Sequence, residues 1–199
     1  MLRRFIPLIG ILFYVLLYIY SASLYPGGSQ ADRTSIGYVW YLNFWCDLFG
    51  EKALNGETNP ARSFAIIANC ILALTMTFFF YCFPLKYNPG KYWNKITPCA
   101  GLVSMIFAGL LFTGYHDNVS ILSGFFGVIA LTGVFIGLIK ARLFTLIIFG
   151  LGCFVLILVN NVIYFSGFGL HYLPVIQKIT LVYIFGWVLG VYDRASRVS

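Results

Sequence analysis

The stretch Leu143–Phe165, LFTLIIFGLGCFVLILVNNVIYF, decides the class of fold. It runs for 23 residues without a charged side chain, and about 20 apolar residues suffice for a helix to cross the ~30 Å hydrocarbon core of a bilayer. Outward from it, further apolar runs of spanning length occupy about 5–24, 63–85, 97–115, 120–139 and 174–192. Only helices and closed barrels satisfy every backbone group in lipid. The sequence therefore predicts an all-α polytopic bundle of six transmembrane helices, a single integral membrane domain over 1–199.

Composition agrees and excludes other classes. Hydrophobic residues make up 60% and charged residues 10% of the chain, with a mean hydropathy of +0.88, whereas soluble domains carry about 25% charged residues. A water-soluble enzyme and a disordered regulator are ruled out on that ground. The net charge of +7 is not gathered into a basic patch, so no nucleic-acid partner is expected. Of five cysteines, Cys70, Cys82, Cys99 and Cys153 fall inside apolar runs, and no CxxC pair is present. The first run ends in Ser21-Ala22-Ser23 like a secretory signal, but its apolar stretch exceeds the usual h-region, so a retained span is expected.

Lys and Arg placement sets the expected orientation. With the N-terminus cytoplasmic, nine of the thirteen fall inside: Arg3, Arg4, Lys86, Lys91, Lys95, Lys140, Arg142, Arg194 and Arg197. Arg33, Lys52, Arg62 and Lys178 fall outside. Both termini are thus expected in the cytoplasm. The one-residue gap between Lys140 and Arg142 makes the fourth and fifth helices antiparallel neighbours.

Residues 25–62 form the one long connection, an ordered outer loop by its aromatic content. At 100° per residue, Tyr38, Tyr41, Leu42, Trp45, Leu48 and Phe49 share one face, opposite Asn43, Cys46, Asp47 and Gly50. That pattern predicts an interfacial amphipathic helix acting as a lid. Turns are expected at Tyr25-Pro26-Gly27-Gly28 and Asn55-Gly56.

Polar residues within the spans concentrate at the outer ends: Ser21, Ser23, Asn69, His116, Asp117, Asn160, Asn161, His171, Gln177 and Lys178. Such groups are costly near hydrocarbon unless they face a cavity or one another. A polar pocket open to the outer face follows, and transport, which needs polar groups at the midplane, becomes the minority reading. The candidate ligand-binding residues are Asn43, Asp47, His116, Asp117, Asn160, His171, Gln177 and Lys178. Asp47, His116, Asp117 and His171 form a weaker candidate metal set, and a His-Asp pair is a candidate general base with its orienting group. His116-Asp117 is expected in the short turn Gly114–Asn118. For each of these alone, a hydrogen-bonded interfacial residue is the plainer reading; for Asp47 and Asp117 the plainer reading is an ion pair with Lys178 or Arg62.

Tyr25-Pro-Gly-Gly-Ser29, Asn43-Phe-Trp-Cys-Asp-Leu48, Asn55-Gly56, Asn59-Pro-Ala-Arg62, the His116-Asp117 pair and Gln177-Lys178 leading to Trp187 together resemble a family of prokaryotic six-span inner-membrane proteins, domain of unknown function family 998, and more distantly DRAM/Sfk-type six-span proteins. Lys178 stands where that family has Arg, which loses planar bidentate contacts. The resemblance implies the six-span topology and an important outer loop, with no established reaction. The sequence thus points to binding of a membrane lipid or small amphiphile at an outer pocket. Its alternatives are a membrane hydrolase acting on lipid headgroups and a non-catalytic assembly subunit whose outer helix meets a protein partner. No cofactor is indicated by any motif.

Overall fold

A computed structural model describes residues 5–197; Arg3 and Arg4, counted above for orientation, lie outside the described residues. Six helices follow in order: α1 (Ile6–Ser23), α2 (Ala61–Tyr87), α3 (Trp93–Gly109), α4 (His116–Lys140), α5 (Phe144–Ser166) and α6 (Leu173–Arg197). Their ends carry recognisable stop and start chemistry. Pro7 sits in the first turn of α1, where its missing N–H costs nothing. Asn88, in the left-handed region at φ 40°, closes α2 with its N–H on the Pro84 carbonyl. Gly167, at φ 73°, closes α5 in the same way.

All but α3 are long and apolar enough to cross a membrane by length and composition, making five such helices among the described residues. The apolar run expected at 97–115 is divided in the structure: α3 starts earlier, at Trp93, and stops at Gly109 after 17 residues, and turns follow to Tyr115. His116 and Asp117 consequently open α4 instead of lying in a turn before it. The outward flanks of the bundle are aliphatic. Ile148, Val162, Leu74 and Val182 are 65–71% exposed, which fits hydrocarbon as the surrounding solvent. The structure is thus an all-helical multi-pass membrane fold.

The helices alternate in direction, and polar contacts fix which ends meet. At one end, Ser21 Oγ donates to the Ala61 carbonyl (2.8 Å), Asn69 Nδ2 to that of Ala108 (3.0 Å), and Tyr164 Oη to Asp117 Oδ1 (2.8 Å). We call this the loop end. At the other, Tyr87 Oη donates to the Val191 carbonyl (2.6 Å), Trp187 Nε1 to that of Leu146 (2.7 Å), and Lys140 Nζ to that of Pro89. The aromatic core of Phe79, Phe80, Phe83 and Trp187 lies in that far half. Close helix approach there relies on small residues: a Cβ added at Gly101 would run into the Phe80 ring, and one at Gly133 into Thr97.

The amphipathic helix expected across Tyr38–Gly50 does not form; only Trp45–Phe49 is helical, as one 3-10 turn. The reason is Asn43, which is fully buried. Its Oδ1 accepts the Val39 N–H (2.9 Å), and its Nδ2 donates to the Gly28 carbonyl (2.7 Å) and to Asp47 Oδ2 (3.0 Å). Asp47 Oδ2 in turn accepts the Phe44 N–H (2.9 Å). These side-chain bonds outcompete helical ones, as Asn and Asp readily do. Leu48 and Phe49 are buried as expected, whereas Tyr41 is 64% exposed. The turn motifs stitch the rest of the loop. Asn55 N–H reaches the Gly27 carbonyl (3.2 Å), Tyr25 Oη accepts the Leu54 N–H (3.0 Å), and Asn59 Nδ2 holds the Leu48 and Gly50 carbonyls (3.1 and 2.9 Å). Gly27 and Gly28 are needed in the first of these turns, because both take positive φ and lie against the backbone at Ser35 and Asn55.

Candidate functional site

The folded loop roofs a cavity of about 360 Å³ at the loop end of the bundle, within the usual range for small-molecule sites. Helix register gives its vertical extent. The floor residues Tyr14 and Ile157 lie nine residues from the loop-end termini of α1 and α5, and Leu72 and Ile184 eleven from those of α2 and α6. At 1.5 Å per residue, that places the floor roughly 14–17 Å below the rim, about the depth of one leaflet. Asp117, at the second position of α4, and Tyr164, near the end of α5, lie at rim level. Asn69, Asn160, Gln177 and Thr180 form an intermediate polar band.

The roof is held firmly. The Trp45 indole stacks on Tyr18 at 3.6 Å between centroids with the planes 6° apart, and Tyr18 Oη donates to the Trp45 carbonyl (2.9 Å). Trp45 N–H donates to Gln177 Oε1 (3.3 Å). Lys178 Nζ donates to the Asn43 and Pro174 carbonyls (2.8 and 3.1 Å) and lies 5.4 Å from the Tyr38 ring centroid and 6.0 Å from that of Trp45. Gln177 and Lys178 thus act as a clasp between α6 and the loop. Backbone carbonyls need only a point donor, which the Lys178 ammonium supplies.

The eight candidate residues separate into three groups. His116, Asp117, Asn160 and Gln177 line the cavity. Asn43, Asp47 and Lys178 lie in its roof support and not in its lining. His171 is exposed and packed on Tyr172, centroids 3.7 Å apart, away from the lining. The proposed metal set is therefore dispersed, and no group of three or more His, Cys, Asp or Glu that could hold an ion occurs among the described residues. Arg62 pairs with Glu51 (3.1 Å), not with Asp47.

Tyr164, Ser120, Thr180 and Tyr14 also line the cavity and were not among the sequence candidates. A signal was available: Asn160 and Tyr164 are four apart, Gln177 and Thr180 three apart, and each pair shares a helix face. The chemistry of the rim centres on Asp117, whose Oδ1 accepts from Tyr164 Oη (2.8 Å) and lies 3.2 Å from His116 Nδ1. Burial and the neighbouring Asp47 push the Cys46 thiol up to about 12, so this lining cysteine stays protonated at neutral pH and is a poor nucleophile. Burial likewise raises the Asp47 carboxyl, against the opposing bonds from Asn43 and Phe44. No family model, curated protein or solved structure matches this chain.

Proposed function

We propose that this chain is an integral membrane protein that binds a lipid or small amphiphile in the loop-end cavity. The observation that carries the reading is the vertical order of that cavity: apolar floor, polar band and charged rim, one leaflet deep, beneath an anchored roof. An amphiphile has the same order from tail to head. We also read the chain as crossing the membrane six times, as the resemblance to family 998 implies, with both termini cytoplasmic and the loop end outside, as the Lys and Arg placement implies. The test is native mass spectrometry of protein purified from membranes in a non-ionic detergent. One amphiphile should remain per chain in the wild type and be absent from Leu72→Trp, which fills the floor. Equal retention in both, or none in either, would sink the reading.

One observation favours a second reading as hydrolase: the carboxylate of Asp117 lies within hydrogen-bond reach of His116 on the cavity rim. His116 would take a proton from water attacking an ester carbonyl, and the departing alkoxide would be protonated in turn. Turnover of a fluorogenic single-chain ester, lost in His116→Gln, would support it; no turnover above protein-free micelles would remove it. The assembly-subunit reading loses ground, because a cavity lies beneath the aromatic loop.

A further inference from the structure

The charge distribution of the cavity selects among amphiphiles. Of the twenty lining residues, none is Lys or Arg, and Asp117 is the one carboxylate. Its side chain is 60% exposed, so it stands at the rim as a solvated anion that an occupant's head must face. His116, the one basic side chain in the lining, has its Nδ1 turned to that same carboxylate. Lys178, the basic residue of the roof, is committed to the Asn43 and Pro174 carbonyls and lies outside the lining. An anionic head would therefore meet Asp117 with no Lys or Arg to offset it.

Asn160 Nδ2 donates to Leu156 O (2.8 Å) and to Thr180 Oγ1 (2.7 Å), while Thr180 Oγ1 spends its own proton on the Ile176 carbonyl (2.7 Å). That arrangement fixes the amide orientation, since a reversed amide would set oxygen against the Leu156 carbonyl. Asn160 Oδ1 is consequently left buried and without a partner. That oxygen is closed off from the cavity surface, below the rim, so it bears on the packing of the polar band and not on the head of an occupant. Trp45, Tyr164 and Phe165 also border the site, with one face of Trp45 taken by Tyr18.

On the reading of the cavity as an amphiphile site, we infer that its occupant is a single-chain amphiphile with a primary ammonium head, seated at Asp117 with its tail between Leu72 and Ile184. The ammonium supplies the positive charge that neither Lys nor Arg brings to the rim. A cavity of about 360 Å³ accommodates one chain in preference to a whole two-chain lipid.

The test uses the full chain in phosphatidylcholine nanodiscs, with empty nanodiscs subtracted. Binding of tritiated dodecylamine is measured directly, and dodecanol, dodecanoate and a dodecanoyl lysophosphatidylethanolamine are added as competitors. Dodecylamine should bind saturably, be lost in Leu72→Trp, and bind at least about tenfold more tightly than dodecanol or dodecanoate, a difference of about 1.4 kcal/mol. Asp117→Asn keeps an oxygen for Tyr164 and should bring the three to within about twofold. Strong competition by the lysolipid supports an ethanolamine headgroup as the natural source of the ammonium, and weak competition supports a free long-chain amine. Equal binding of amine, alcohol and carboxylate, or an unchanged preference in Asp117→Asn, overturns the ammonium assignment and leaves the amphiphile site standing. Saturable binding of none of them overturns the site itself.

Discussion

Asp32 and Asp47 belong to the same loop but respond to pH in opposite senses. Asp32 is fully exposed, and bonds from the Thr34 hydroxyl (2.7 Å) and N–H (2.9 Å) lower its folded pKa. Its turn is therefore supported above the ordinary aspartate range near 3.9 and loses that support as pH falls. For Asp47, burial dominates and raises the folded value. A raised carboxylate pKa means that the folded loop binds the proton more tightly than the unfolded one, so that contribution is present at low pH and lost as pH rises through the folded value. Hydrogen exchange of amides 43–47, corrected for intrinsic rates, should accordingly slow on acidification from neutral pH to below about 4. Asp47→Asn should flatten that dependence. A profile with the opposite slope in the wild type would remove burial as the dominant cause. The same residues show why the irregular course of the loop was not legible in the sequence. Periodicity reports which side chains are apolar, and it correctly placed Leu48 and Phe49 inward. It does not report that Asn43 and Asp47 would take the backbone bonds a helix needs.

Between elements, the two chief attachments differ in kind. The loop is held to α6 by the Lys178 donor on Asn43 O, while a second Lys178 donor turns back on Pro174 O of α6 itself. Lys178→Met keeps the stem and removes the donors, so the roof should open more often. Cys46 provides the readout. With its pKa at about 12 in the closed loop, and near the ordinary 8.5 once exposed, alkylation should rise more than tenfold at about pH 8 in a Cys70→Ala, Cys99→Ala background. An unchanged rate would show that Tyr18 and Gln177 hold the roof without the lysine. Helix contact, by contrast, depends on absence of volume. Gly101 leaves no room for a Cβ against Phe80 on α2, so Gly101→Leu should cost about 1–3 kcal/mol, read as a lower midpoint in a detergent unfolding titration. Wild-type stability in that variant would mean that α2 and α3 separate freely. Apolar runs located all six helices because length and hydropathy are local properties. The members Tyr164, Ser120 and Thr180 of the lining were missed because their place depends on which faces converge, and single-run hydropathy does not carry that information.

At the scale of the molecule, α3 presents the one difficulty for a six-span topology, being 17 residues, or roughly 25 Å, long. Its neighbours set the height it must cover. α4 runs 25 residues from the loop end to Lys140, which donates to the Pro89 carbonyl just before α3. Asn69, nine residues into α2, donates to Ala108 and Gly109 at the other end of α3. The chain between Pro89 and His116 therefore travels the same distance as α4, with α3 covering most of it and the turns through 110–115 the remainder. A helix somewhat shorter than the hydrocarbon core is accommodated by local thinning or by burial against its neighbours, and α3 packs between α2 and α4. Lys86, Lys91, Lys95, Lys140, Arg142 and Arg194 belong to the far end, against Arg33, Lys52, Arg62 and Lys178 at the loop end, and the proposed orientation, with the far end cytoplasmic, rests on that asymmetry through the positive-inside rule. In a bacterial host, a green fluorescent protein fused after Ser199 should fluoresce, and alkaline phosphatase fused there should be inactive. Phosphatase inserted at the exposed Ile36 turn should be active. An active phosphatase after Ser199 together with an active one at Ile36 would place the C-terminus outside, reduce the crossings after the loop to an even number and overturn the six-span reading.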